Sequence, residues 1–235
     1  MPHIHTYYEN KILSEIVELL KWSPGIISPI SNFLQILDIY KTGKAYDVDS
    51  ITFTLFILGN IGGYLFTKQY FSIKALLAYI VPSILDIYII GIKYNKDNDK
   101  NNEIIYTSIL SSILFITILS VFIFRNNNTF KRMIDKIANY GGSLTAIVYP
   151  VATILQLVKI IKNDSATGVS INTWILNLVV NIGLYFLSNQ YSNWRSIIGF
   201  LGTGLICAII IFYIIDLKNK KDDINHSNHS SKTTN

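Results

Sequence analysis

Charges in this chain are crowded into short clusters, and between them run apolar stretches of membrane-spanning length. Ile104 to Phe124 is 21 residues without a charge, and Ile197 to Ile215 adds 19 more. A hydrocarbon core about 30 Å thick needs about 20 residues of helix. The pattern predicts seven spans, near 23–40, 51–67, 74–92, 104–124, 141–161, 171–187 and 196–215. Ahead of the first, Ile12, Leu13, Ile16, Val17, Leu19 and Leu20 recur at helical spacing among Glu15, Glu18 and Lys21. That reads as an interfacial helix or an extension of the first span. Beyond the last, 217–235 is polar, with too little apolar surface to fold, and is expected to be disordered.

The runs are organised by an internal repeat. Laid without gaps over Pro29 to Phe66, the stretch Pro150 to Leu187 matches at 13 of 38 positions, against about a tenth from apolar bias alone. The offset is 121 residues. It also carries the first helical stretch onto Arg132 to Gly142, where Met133, Ile134 and Ile137 repeat its pattern. Three spans fall in each repeat and one between them. An odd number of spans inverts a chain, so the fourth returns the second repeat parallel to the first. The predicted fold is all-α and integral to the membrane: two parallel three-helix bundles joined by one linker helix (3+1+3), with a central pathway between them. Its parts are 1–22 (interfacial helix or start of the first span), 23–95 (first repeat), 96–128 (linker helix and loops), 129–216 (second repeat) and 217–235 (tail).

Composition narrows the function. Half the residues are hydrophobic and 15% charged, with a net charge of +5. The charge is scattered among loops with no basic stripe, so nucleic acid is not an expected partner. Lys and Arg divide ten to nine between the two sides of the predicted topology, so charge alone does not orient the chain. The N-terminus carries His3, His5 and Glu9 rather than a basic region before an apolar core, and no cleavable signal is expected. The single cysteine, Cys207, excludes an intrachain disulfide and reads as a core residue. His226 and His229 in the polar tail read as solvated. The spans hold no metal-ligand cluster, nucleophile–base set or phosphate-cradling glycine loop. Neither an enzyme nor a cofactor is expected; the expected partners are the bilayer and a small solute, and a homo-oligomer is compatible.

In the second repeat Gln156 is followed by Lys162, Ser165, Gly168 and Ser170, and in the first Gln35 is followed by Lys41 and by Asp49-Ser50. This resembles the PQ-loop motif. The resemblance covers both repeats, and it implies the PQ-loop and SWEET superfamily of seven-span proteins: sugar uniporters, lysosomal amino-acid exporters and, more distantly, KDEL-type cargo receptors. It further implies an outer or lumenal N-terminus, a cytosolic tail, and an accessible glycosylation sequon at Asn127-Asn128-Thr129. The chain departs from the motif where Leu34 and Leu155 stand in place of the proline before each Gln. Prolines stand instead at Pro29 and Pro150. In the sugar carriers of this family an aromatic residue on the second helix of each bundle and an Asn on the third enclose the sugar. Tyr64 and Tyr185 fall near the aromatic position. Ile80, Val81 and Pro82, and Leu201, Gly202 and Thr203, occupy the region of the third-helix Asn.

Candidate site residues follow from chemistry at membrane depth. Pro29 and Pro150 each remove a backbone donor and free a carbonyl, as a hinge or as ordinary transmembrane prolines. Gln35 and Gln156 must find partners in apolar surroundings, which suggests a gate or packing role. Asn60 and Asn181 share one register, one turn before Tyr64 and Tyr185. Amide and phenol together suit a neutral hydroxylated solute or a zwitterion, and bonding within each bundle is the alternative. Asp38 stands opposite Lys159 across the repeats, as a cytosolic-side gate or as two side chains snorkelling to the interface. Asp86, whose counterpart is Cys207, is a candidate proton-coupling site or the partner of a lysine such as Lys93. Trp22, Trp174 and Trp194 fall near span ends, as an aromatic belt would. The expected function is a carrier of a small neutral solute, a sugar first. The alternatives are a proton-coupled amino-acid transporter and a cargo receptor or scaffold that moves nothing.

Overall fold

The computed structural model describes residues 2–43, 45, 48–97, 103–124, 126–166 and 169–232, and of 2–10, 96, 97, 103, 104, 106, 121 and 221–232 the backbone only. Among the described residues all regular structure is helical. In chain order these are α1 (Pro2–Thr42), α2 (Ser50–Thr67), α3 (Ile73–Asp97), α4 (Glu103–Ile123), α5 (Asn128–Asn163), α6 (Ile171–Leu187), α7 (Trp194–Ser196), a π-helical segment (Ile197–Gly202) and α8 (Thr203–Lys232). The last three run on without a break. Among the described residues, four stretches are long and apolar enough to cross a bilayer: Ser50–Thr67, Ile73–Asn95, Asn128–Asn163 and Trp194–Lys220. Thr107–Ser120 and Ile171–Leu187 are shorter apolar helices.

The surface identifies the solvent. Large apolar side chains such as Leu19, Phe115, Ile147, Leu205 and Phe212 point outward, while Ser31, Gln35, Thr52, Asn60, Ser83, Thr153, Gln156 and Thr173 are buried. This inversion is stable only where lipid is outside and polar groups must bond one another across helices. The protein is therefore an all-helical membrane protein.

Helix ends are set by local chemistry that repeats at the 121-residue offset. The Asp49 side chain caps α2 by accepting from Thr52 N, and the Ser170 hydroxyl caps α6 by accepting from Thr173 N; each satisfies an orphan donor of the first turn. Lys68 and Asn189, also 121 apart, both turn the chain with positive φ, 56° and 54°. α1 and α5 absorb the helical stretches ahead of Pro29 and Pro150, and both run unbroken through those prolines. α8 continues to Lys232, so the stretch expected to be disordered extends the last helix through that residue. An i,i+4 ion pair, Lys220 to Asp216 at 2.6 Å, supports its beginning. The side chains of His226 and His229, the motif's Gly168, and the loop between the first repeat and the linker helix (98–102) lie outside the described residues.

α3 packs against both α1 and α2, and the π-helical segment and α8 pack against both α5 and α6. The repeats meet through α1 on α6 and α2 on α5, and α4 lies on α2 and α3. Glycines permit the closest crossing: a Cβ on Gly62 would stand 2.7 Å from Gly141 O, and one on Gly141 2.8 Å from Gly62 O. Phe56 packs on three separate apolar clusters of the interior, which marks the centre of the assembly.

Candidate functional site

A cavity of about 50 Å³ lies between the repeats. The first repeat lines it with Ser28, Asn32, Phe56, Asn60, Ala78, Pro82 and Asp86, and the second with Tyr149, Asn177, Val180, Asn181, Leu184, Thr203 and Cys207. Five of these pairs stand 121 residues apart: Ser28/Tyr149, Phe56/Asn177, Asn60/Asn181, Pro82/Thr203 and Asp86/Cys207. The cavity therefore sits where the two halves present equivalent positions to each other.

Asn60 and Asn181 both reach it. Asn60 donates to Ser83 Oγ at 3.0 Å and accepts from the Tyr149 hydroxyl, while Asn181 donates to Asn177 O at 2.8 Å. Tyr64 and Tyr185 do not line the cavity. Each hydroxyl runs to the loop beyond its own helix, Tyr64 to Tyr70 O at 2.6 Å and Tyr185 to Tyr191 O at 2.8 Å. One turn further along α2 and α6, these rings have passed the cavity and meet carbonyls that the turn leaves open. The aromatic lining comes from Phe56 and Tyr149 instead, whose rings meet edge to face at 6.0 Å.

Asp86 is 2% exposed and accepts from Asn32 Nδ2 at 2.9 Å. Its expected alternative partner, Lys93, donates to Ala45 O at 3.2 Å, two turns further along α3. Asp38 and Lys159 form no ion pair among the described residues. Lys159 Nζ donates instead to Val48 O at 3.0 Å, tying α5 to the α1–α2 loop.

The glutamines hold the repeats together at both ends. Gln35 Oε1 accepts from Ser170 N at 3.2 Å, and Gln156 Oε1 accepts from Asp49 N at 2.9 Å. Each motif glutamine thus grips the N-cap of the second helix in the opposite repeat. Beside them Thr52 Oγ1 donates to Ala152 O and Thr173 Oγ1 to Ser31 O, both at 2.9 Å. At the other end Gln69 Nε2 donates to Leu187 O at 2.8 Å and Gln190 Nε2 to Phe66 O at 3.0 Å. Every bond in these three pairs has its counterpart at the offset of 121.

Trp174 departs from the expected belt. It is buried against Ile160 and Cys207, because it stands on the face of α6 turned to α8. Trp22 and Trp194 remain at the surface, under the charges of Lys74 and Arg195 at 5.1 and 5.2 Å. Sequence reasoning missed Asn32, Asn177 and Tyr149. Asn177, one turn before Asn181, was detectable as a second amide on one helical face. Ser28 and Tyr149 immediately precede the repeat prolines but differ in type, so matching identities across the repeats passes over them.

No family model matches the chain, and no curated protein matches it. What the fold and cavity define is an all-helical membrane protein with an internal repeat whose halves enclose a polar site.

Proposed function

We propose that the chain is a membrane carrier that moves a small polar solute by alternating access. In this reading α1–α3 and α5–α8 are parallel three-helix bundles, and α4 is the helix that turns the second one back. The N-terminus is outer or lumenal and the tail cytosolic. The solute occupies the central cavity, and the paired glutamines release one end at a time. One observation carries the reading: equivalent positions of both repeats converge on a cavity, with reciprocal hydrogen bonds closing the halves on either side of it. A two-fold device of this kind has two related ways to open, one towards each face.

A sugar is the solute that the PQ-loop resemblance suggests first. Asp86 in the cavity favours a second reading, a proton-coupled amino-acid carrier, because an ionisable group at membrane depth is costly unless used. The cargo-receptor reading needs cations open to a carboxylate on the outer side. Of the candidate cations there, Lys68, Lys74 and Arg195, two are committed: Lys74 pairs with Glu18 and stacks on Trp22, and Arg195 donates to Ser143 Oγ at 2.8 Å.

The test is uptake of labelled hexoses and neutral amino acids into proteoliposomes at two pH values, beside Asn60→Ala and Asn181→Ala. Flux in the parent that both variants lose supports the carrier and its site. Folded protein that moves no solute offered overturns it in favour of a receptor or scaffold.

A further inference from the structure

Resting on the carrier reading, we infer that the solute of the central cavity is a small protonated amine. The cavity lining holds one acid, Asp86, and no Lys, Arg or His. Facing Asp86 across it are Asn32 on α1, Phe56 and Asn60 on α2, Tyr149 on α5, Asn177 and Asn181 on α6, and Cys207 on α8. None of these brings a positive charge. A buried carboxylate without a counter-charge is costly, so a cationic ligand has a reason to enter.

The hydrogen-bond inventory points the same way. Asp86 Oδ1 is taken by Asn32, and Oδ2 has no partner among the described residues. Both amide hydrogens of Asn32 are spent, on Asp86 and Pro82 O, and one of Asn181's on Asn177 O, leaving both amide oxygens to accept. Three oxygens, one of them a carboxylate's, therefore await donors. A primary ammonium supplies three N–H donors and one positive charge. Phe56 and Tyr149 add ring surfaces of the kind that attract such a cation, and Ala78, Val180 and Leu184 receive its alkyl part.

A neutral sugar brings no positive charge to pair with Asp86, and a zwitterion would bring its own carboxylate to a lining with no cation. Size sets the scale. A volume of about 50 Å³ is room for more than one water, the scale of a small amine.

The native Cys207 reports occupancy without requiring flux. In full-length protein in proteoliposomes, ethylammonium should slow alkylation of Cys207 by N-ethylmaleimide, while ethanol and glucose at equal concentration should not. Asp86→Asn should raise the half-protecting concentration about 10- to 150-fold, and labelled ethylammonium should be taken up by the parent alone. The comparison of amine with alcohol is made on the parent, so it holds even where Asp86→Asn fails to fold. Uptake of a hexose or alanine with no protection by ethylammonium overturns the amine and leaves the carrier standing. Protection that persists unchanged in Asp86→Asn also overturns it. Protection by the amine with no flux of any solute supports the amine site and overturns the carrier.

Discussion

Gln156→Met strips one acceptor from the closed end of the protein while nearly keeping side-chain length. One group left behind is the Asp49 backbone N–H, which Gln156 satisfies at 2.9 Å. When this end is shut that N–H is partly screened from water; when it opens, water replaces the lost acceptor. The variant therefore penalises only the closed arrangement, by about 1–3 kcal/mol for an unmet buried donor. That raises the population open at this end about 5- to 150-fold. Gln35→Met should act in the same sense and nearer the lower limit, since its bond to Ser170 N is longer, 3.2 Å. The assay uses sealed vesicles of known orientation and a membrane-impermeant thiol reagent, with Cys207, the chain's one cysteine, as the target. Gln156→Met should raise the rate at least fivefold from the face bearing the α2 and α6 N-caps, Asp49 and Ser170. Gln69→Met, which removes the donor to Leu187 O, should raise it from the opposite face. Rates within twofold of the parent, or an increase from the wrong face, would refute the assignment of these glutamines as latches.

Further expectations separate site from scaffold. Tyr64→Phe and Tyr185→Phe should each cost about 1 kcal/mol of stability and leave the transport KM unchanged, whereas Asn60→Ala should raise KM or abolish flux. Gly62→Ala drives a Cβ to 2.7 Å from both Gly141 O and Thr145 Oγ1. It should destabilise by about 1–3 kcal/mol, read as a lower thermal midpoint in detergent. Gly91→Ala, which meets nothing within 4 Å, should be neutral or stabilising by about 0.5–1 kcal/mol. Asp49→Ala removes the cap bonded to Thr52 N at 2.8 Å and should cost about 1 kcal/mol, with hydrogen exchange accelerating first in the opening turn of α2.

Length and repetition of apolar runs are legible without a structure, because the bilayer imposes both a minimum span and a ban on unpaired charge. The offset of 121 residues alone assigns Gln35 to Gln156 and Asn60 to Asn181 as equivalents; the glutamines make equivalent bonds in the fold, while the asparagines share the cavity but not their partners. What the chain alone could not decide is where each polar group in a span points. Lipid tails and protein interior are equally apolar, so the periodicity that marks the buried face of a soluble helix is weak here. Tyr64 shares the helix and the approximate face of Asn60, yet its hydroxyl serves a loop, because the cavity ends within one turn. Asn32 was unremarkable until α3 brought Asp86 beside it, 54 residues away in sequence. Tyr149, which donates to Asn60, and Asp49, whose N–H bonds Gln156, lie 89 and 107 residues off, in the other repeat. Spans and symmetry are properties of the chain's own sequence. The site belongs to the crossing of α1 with α6 and of α2 with α5, which only the packed structure determines.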